Sequence, residues 1–153
     1  MTEETSWAAW SPSPHQRVLM FLDLAATQVR DLLPFVVGEQ RIEPWAVEVA
    51  CTESFVLNVR LIADFLTRGS KQHDILAADL APGWTPDEDL KKRLDIWWHL
   101  ASKWAMHMSK KRVPDEDHEV TEVREEEFRQ MAAACQEAYA AFLQARGVAR
   151  IHP

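Results

Sequence analysis

Glycine and proline are scarce and clustered along this chain, which leaves long segments with nothing to interrupt a helix. Four glycines and eight prolines occur in 153 residues, and these two residue types are the strongest breakers of regular structure. Apolar side chains within the uninterrupted segments recur every three or four residues, which is the spacing of one helix face. No alternation of apolar and polar residues is long enough to suggest a strand. We therefore predict an all-α fold.

Four long segments carry the helical pattern. Ser13 followed by Pro14 predicts the start of the first, because serine is a favoured N-cap and proline suits the first helical position. The run Thr85-Pro86-Asp87-Glu88 resembles a capping box and predicts the start of the third. The four helices are predicted over residues 14–37, 44–66, 86–112 and 120–145.

Amphipathic helices of this length must cover one another's apolar faces, and a four-helix bundle is the economical arrangement. Short links between helices one and two, and between three and four, favour mostly antiparallel packing. One long connection, residues 70–84, joins helices two and three, and we expect a single short turn of helix at 74–80. The predicted organisation is an N-terminal arm at 1–12, a single helical-bundle domain at 13–147 and a C-terminal tail at 148–153.

The charge balance limits the partners that the chain can bind. Seventeen Lys and Arg oppose twenty-four Asp and Glu, which gives a formal net charge of -7. A broad basic footprint for nucleic acid is therefore absent, and any RNA contact must be local. No basic leader and no apolar run of about 18 residues occurs, so we expect a cytoplasmic protein that does not enter a membrane. Cys51 and Cys135 are expected to be reduced, buried thiols.

The sequence predicts neither a metal site nor a cofactor. Its six histidines are scattered, and no two lie three or four residues apart, as helix-borne metal ligands usually do. A metal-binding thiol-transferase bundle is disfavoured for the same reason. Glycine-rich phosphate loops, Cys-x-x-Cys pairs and the serine elbow of hydrolases are also absent.

Helix two carries polar residues in two unusual places. Asn58 falls inside the apolar stripe, so we expect it to be buried and to bond a partner across the bundle. Arg60 and Asp64, with Glu53 beside them, project from another side of the helix. The pair Arg60 and Asp64 is either a weak surface ion pair or part of a functional site.

Helix three carries the main concentration of positive charge. His107 lies at the border of its apolar stripe and is either a neutral, hydrogen-bonded histidine or a functional group. Arg112 lies in the last turn, where a cation also interacts with free carbonyl groups. His99 is expected on a solvated, lysine-rich face. This half of the helix is either an ordinary charged surface or a local anion site.

Two stretches of the chain resemble the HEPN superfamily, which includes small, mostly uncharacterised bacterial helical proteins. The stretches are ESFVLNVRLIADF at 53–65 and SKWAMHMSKKR at 102–112. The resemblance implies a helical bundle, a homodimer and, in many members, a metal-independent ribonuclease of toxin–antitoxin or phage-defence systems. The family hallmark is an arginine and a histidine with four to six residues between them. Here His107 matches the histidine segment, and Arg60 would have to supply the arginine.

Two functions remain open from the sequence. The first is a non-catalytic interaction or regulatory module that binds a protein partner, and the acidic net charge favours it. The second is a HEPN-type ribonuclease in which His107 acts as acid or base, Arg60 or Arg112 stabilises the phosphorane, and Asp64 orients the arginine. Both hypotheses expect a homodimer. The second also predicts that Arg60, Asp64 and His107 are neighbours across helices two and three.

Overall fold

The computed structural model describes residues 11–68, 75–105 and 123–147. Across these residues the chain forms helices and no strand, so the all-α prediction is confirmed. Four long helices and one short helix occur in the order α1 (Pro14–Val36), α2 (Trp45–Thr67), α3 (Ala77–Leu80), α4 (Glu88–Ala105) and α5 (Glu125–Arg146).

The first helix begins where the sequence predicts. The Ser13 hydroxyl accepts the backbone N–H of Gln16, and the Gln16 side chain accepts the N–H of Ser13. This reciprocal pair satisfies two backbone donors that have no partner within the helix. The second helix begins one residue after Pro44, which is its N-cap. The short α3 lies within the long connection, where a single turn was expected.

The predicted starts of helices three and four are wrong. Asp87, and not Thr85, caps α4, since its Oδ1 accepts the N–H of Leu90 at 2.8 Å. Both residue types are good N-caps, so local preference does not choose between them, and Pro86 is buried ahead of the helix. The last long helix begins at Glu125 instead of residue 120. The predicted end of helix three, at 106–112, lies outside the described residues.

Two cross-helix contacts fix the direction of α1 against α5. The Tyr139 hydroxyl donates to Asp23 Oδ1 at 2.5 Å, and Gln136 Nε2 donates to the carbonyl oxygen of Ala26 at 2.7 Å. Later residues of α1 therefore meet earlier residues of α5, and the two helices are antiparallel.

Aromatic contacts fix the direction of α2 against α5. The rings of Phe55 and Phe128 lie 5.6 Å apart, and those of Phe65 and Phe142 lie 5.7 Å apart, both edge to face. The sequence positions rise together, so α2 and α5 are parallel. It follows that α1 runs antiparallel to α2.

The core is built from one face of each long helix. Phe55, Ile62 and Leu94 are among its fully buried side chains. The first turns of α2 extend past this core, so Val47 is exposed and Cys51 is only half-buried, and the prediction that Cys51 is buried is wrong. Cys135 is buried as a free thiol, and desolvation raises its pKa to about 12.

None of the helices in the described ranges has the length and apolar character needed to span a membrane.

Candidate functional site

Arg60 and Asp64 both face Trp98 of α4. The indole Nε1–H of Trp98 donates a hydrogen bond to Asp64 Oδ1 at 3.0 Å. The guanidinium carbon of Arg60 lies 5.6 Å from the centroid of the Trp98 ring, within the range of a cation–π interaction. No ion pair joins Arg60 to Asp64 within the described ranges. The predicted i,i+4 pair is thus arranged around a tryptophan from another helix.

Arg68 adds a second cation to the same tryptophan. Its guanidinium carbon lies 3.5 Å from the Trp98 ring centroid, and its Nη2 donates to Asp95 Oδ1 at 2.5 Å. Residues 64 and 68 of α2 thus meet residues 98 and 95 of α4, so these two helices are antiparallel. We call Arg60, Asp64, Arg68, Asp95 and Trp98 the Trp98 cluster.

His99 lies at the exposed edge of the Trp98 cluster. Its Nε2 is 3.5 Å from Asp95 Oδ2 and 3.4 Å from Arg68 Nη2. The side chain is 57% exposed, which confirms the expected solvent exposure. Its described neighbours are nevertheless an aspartate and an arginine, which the sequence pattern did not indicate.

The remaining predicted site residues have different outcomes. His107 and Arg112 lie outside the described residues, so their proximity to Arg60 stays a prediction. Asn58 is half-buried, and the prediction that it is buried is wrong, because α1 covers only one side of it. Its Nδ2 donates to Gln28 Oε1 at 2.7 Å and to the carbonyl oxygen of Ser54 at 2.8 Å. Asn58 does bond across the helix pair, as expected, and it faces α1 while Arg60 faces α4.

Both carboxylates of the Trp98 cluster are bonded to donors within the cluster. Asp64 accepts from the indole, and Asp95 is paired with a guanidinium. Each acid therefore already has a donor, and these contacts hold α2 against α4. Arg60 and Arg68 each have a buried Nε without a hydrogen-bond partner within the described ranges, but Arg68 is paired with Asp95, whereas Arg60 makes no ion pair there. Arg60 is therefore the cation of the cluster whose charge has no acidic partner within the described ranges.

An open groove of about 450 Å³ adjoins the Trp98 cluster at Asp95. Its lining mixes both signs of charge, so it has no clear preference for an anionic or a cationic ligand. The lining residues are Thr67, Glu88, Lys91, Lys92, Asp95 and Ile96. In the described parts of the chain, no three His, Cys, Asp or Glu side chains converge.

Sequence reasoning missed three members of the Trp98 cluster: Arg68, Asp95 and Trp98. A partial signal was present, because Arg60, Asp64 and Arg68 are four residues apart and so lie along one face of a helix. Asp95 and Trp98 are three apart and share a face in the same way. No local pattern indicates that these two faces meet.

A second feature is an exposed apolar surface on α1 and α2. Gln28 and Asn58 are bonded, so the antiparallel pairing places Leu24 and Leu61 at a similar level of the helix pair. Phe21 is 64% exposed, Leu24 49%, Leu57 47% and Leu61 42%. We call these four residues the α1–α2 apolar face.

Compared with protein-family models, curated proteins and solved structures, the chain matches none.

Proposed function

We propose that this protein is a non-catalytic helical interaction module, and that its α1–α2 apolar face binds a protein partner. In this proposal the four long helices form a mostly antiparallel bundle of the HEPN-like kind. The module acts in the cytoplasm of a bacterium, in a defence or toxin–antitoxin setting. The observation that carries the proposal is the exposure of four large apolar side chains on two adjacent helices.

The size and grouping of these side chains support binding. Scattered exposed apolar residues are ordinary, but contiguous apolar patches on a monomer frequently mark interaction sites. Burying one Phe or Leu side chain contributes about 1.5–3 kcal/mol. Several such side chains at the centre of an interface can therefore supply a large share of an association energy.

The Trp98 cluster supports the non-catalytic interpretation. Asp64 is the residue that a ribonuclease mechanism needs to orient Arg60, yet its Oδ1 accepts from the Trp98 indole. Asp95 is likewise held by Arg68. Each of these two carboxylates joins α2 to α4, so its position is explained by its contribution to the stability of the fold, without a catalytic role.

Site-specific photo-crosslinking tests the proposed function. A benzophenone amino acid is introduced at Leu57 within the apolar face and, as a matched control, at exposed Ala140 on α5. After irradiation in cells, mass spectrometry identifies the adducts. We expect a defined protein adduct from position 57 and none from position 140. Absence of an adduct at 57, or the same adducts at both positions, contradicts the proposal.

A metal-independent ribonuclease is the second candidate function, and Arg60 favours it. Its guanidinium makes no ion pair with a carboxylate within the described ranges, and in this candidate function the phosphate supplies the counter-charge. This candidate requires His107 as acid or base, with Arg60 or Arg112 as the cation. It predicts RNA cleavage in EDTA that falls about 10²- to 10⁴-fold in His107→Ala. Purified protein that leaves RNA intact excludes it.

A further inference from the structure

Three exposed residues of α1 are spaced at equal intervals of seven: Arg17, Leu24 and Asp31. Seven residues are close to two helical turns and rise about 10.5 Å, so the three side chains lie along one line of the helix. Leu24 is the midpoint of this line. An apolar centre is thus flanked by a cation on one side and an anion at the same distance on the other.

The line continues into a seam of the kind that pairs helices. Phe21 and Gln28 fall between its members, which gives steps of four, three, four and three residues from Arg17 to Asp31. These are the steps of a heptad seam. Phe21 and Leu24 are among the most exposed large apolar residues of the described chain, and neighbouring Met20 is 40% exposed. This side of α1 therefore has the pattern of a helix that packs against another helix.

We propose that the occupant of this surface is a second copy of the chain, with the two α1 helices antiparallel about a twofold axis at Leu24. Leu24 then meets the partner's Leu24, and Phe21 packs beside them. Arg17 faces the partner's Asp31, and Asp31 faces the partner's Arg17. This inference rests on the proposed function, because it assigns an occupant to part of the α1–α2 apolar face.

Charge complementarity selects a second copy in this orientation. A twofold interface uses the same patch on both subunits, so a line with opposite charges at equal distances from its centre complements itself when antiparallel. A parallel arrangement instead places Arg17 against the partner's Arg17. For an unrelated protein partner, equal distances of Arg17 and Asp31 from Leu24 would not produce charge complementarity.

Both charged residues already make contacts within the chain. Arg17 Nε donates to the carbonyl oxygen of Pro12 at 3.0 Å, and Asp31 Oδ1 accepts from Arg30 Nε at 2.6 Å. A guanidinium has five N–H donors and a carboxylate oxygen accepts more than one hydrogen bond, so pairing across the interface does not require either residue to give up a contact within its own chain. Arg30 lies on the half-buried side of α1 and is not on the Arg17–Asp31 line.

Charge reversal tests the antiparallel pairing by sedimentation equilibrium. R17D gives a line with two acids, and D31R gives a line with two bases. Each variant alone should dimerise about tenfold or more weakly than wild type, since two ion pairs become repulsive contacts. Mixed in equal amounts, the variants should form a heterodimer, because every acid then faces a base. K92E, at an exposed site on α4, is the control and should dimerise like wild type.

Circular dichroism verifies that all variants remain folded, as expected for exposed positions. A wild-type chain that stays a 17.6 kDa monomer at every concentration overturns the inference. So does unchanged dimerisation of R17D and D31R, or a mixture that associates no better than its components. The proposed function fails separately: an adduct at position 57 with a different protein preserves the interaction module and rejects the second copy as its partner.

Discussion

The indole N–H of Trp98 donates a hydrogen bond to Asp64 Oδ1 at 3.0 Å, which joins α4 to α2 between residues 34 positions apart in sequence. Arg68 stacks on the same ring and pairs with Asp95. Trp98 is therefore the centre of a polar contact between α2 and α4. This contact accounts for Asp64 as a structural residue.

Replacing Trp98 by Phe should lower the free energy of unfolding, and Trp97 supplies a matched control. Trp98→Phe keeps a ring but removes the donor to Asp64, whereas Trp97 Nε1 has no hydrogen-bond partner within the described ranges. A hydrogen bond to a charged group contributes about 1.5–3 kcal/mol, less where water can replace it. We expect Trp98→Phe to cost about 1–2 kcal/mol more than Trp97→Phe in urea denaturation. Equal costs would show that the indole bond does not stabilise the fold.

The N-cap of α4 can be tested with two neighbouring residues. Asp87→Ala removes the side chain that accepts the N–H of Leu90 and should cost about 1 kcal/mol of stability. Thr85→Ala removes the residue that the sequence pattern favours as a cap, and it should change stability by less than about 0.5 kcal/mol. Thermal or urea unfolding of both variants measures the difference. A larger loss of stability for Thr85→Ala than for Asp87→Ala would indicate that Thr85 is the N-cap, as the sequence predicts.

The buried pair Asp23 and Tyr139 should show coupling in a double-mutant cycle. Tyr139→Phe removes a hydroxyl that bonds a fully buried carboxylate, and we expect a cost of about 1–3 kcal/mol. Asp23→Leu should also destabilise the fold. The double variant should lose less than the sum of the two, because it leaves neither the carboxylate nor the hydroxyl without the other. Strictly additive losses would contradict a direct interaction.

Cys135 should make stability depend on pH in the alkaline range. Burial raises the pKa of its thiol from 9.0 to about 12, so the folded state holds its proton where the unfolded state releases it. The stabilisation is complete below pH 9 and is lost as pH rises from 9 toward 12, by at most about 1.4 kcal/mol per pH unit. Cys135→Ala should show a shallower decline in urea denaturation across this range. Parallel curves for the two proteins would exclude the effect.

Much of the local structure follows from the sequence. Ser13, Pro14 and Gln16 set the start of α1 because the cap, the first turn and the returning side chain lie within four residues of each other. Gly147 ends α5 with a φ of 68°, a conformation that glycine adopts without steric cost. The scarcity of glycine and proline determines the all-α class, because the long segments between these residues keep the helical spacing of apolar side chains without interruption.

The tertiary structure decided which faces meet. Asp23 lies beside Leu24 on α1, and the aspartate is the one that is buried, because α5 brings the hydroxyl of Tyr139 to it. In the sequence, Arg60 and Asp64 form a single i,i+4 pair. In the structure, Asp64 accepts a hydrogen bond from the Trp98 indole of α4, whereas Arg60 lies against the face of the same ring. Local periodicity gives each helix an apolar and a polar side, but the partner of a polar group depends on helix rotation and level. Those are fixed by packing between residues distant in sequence.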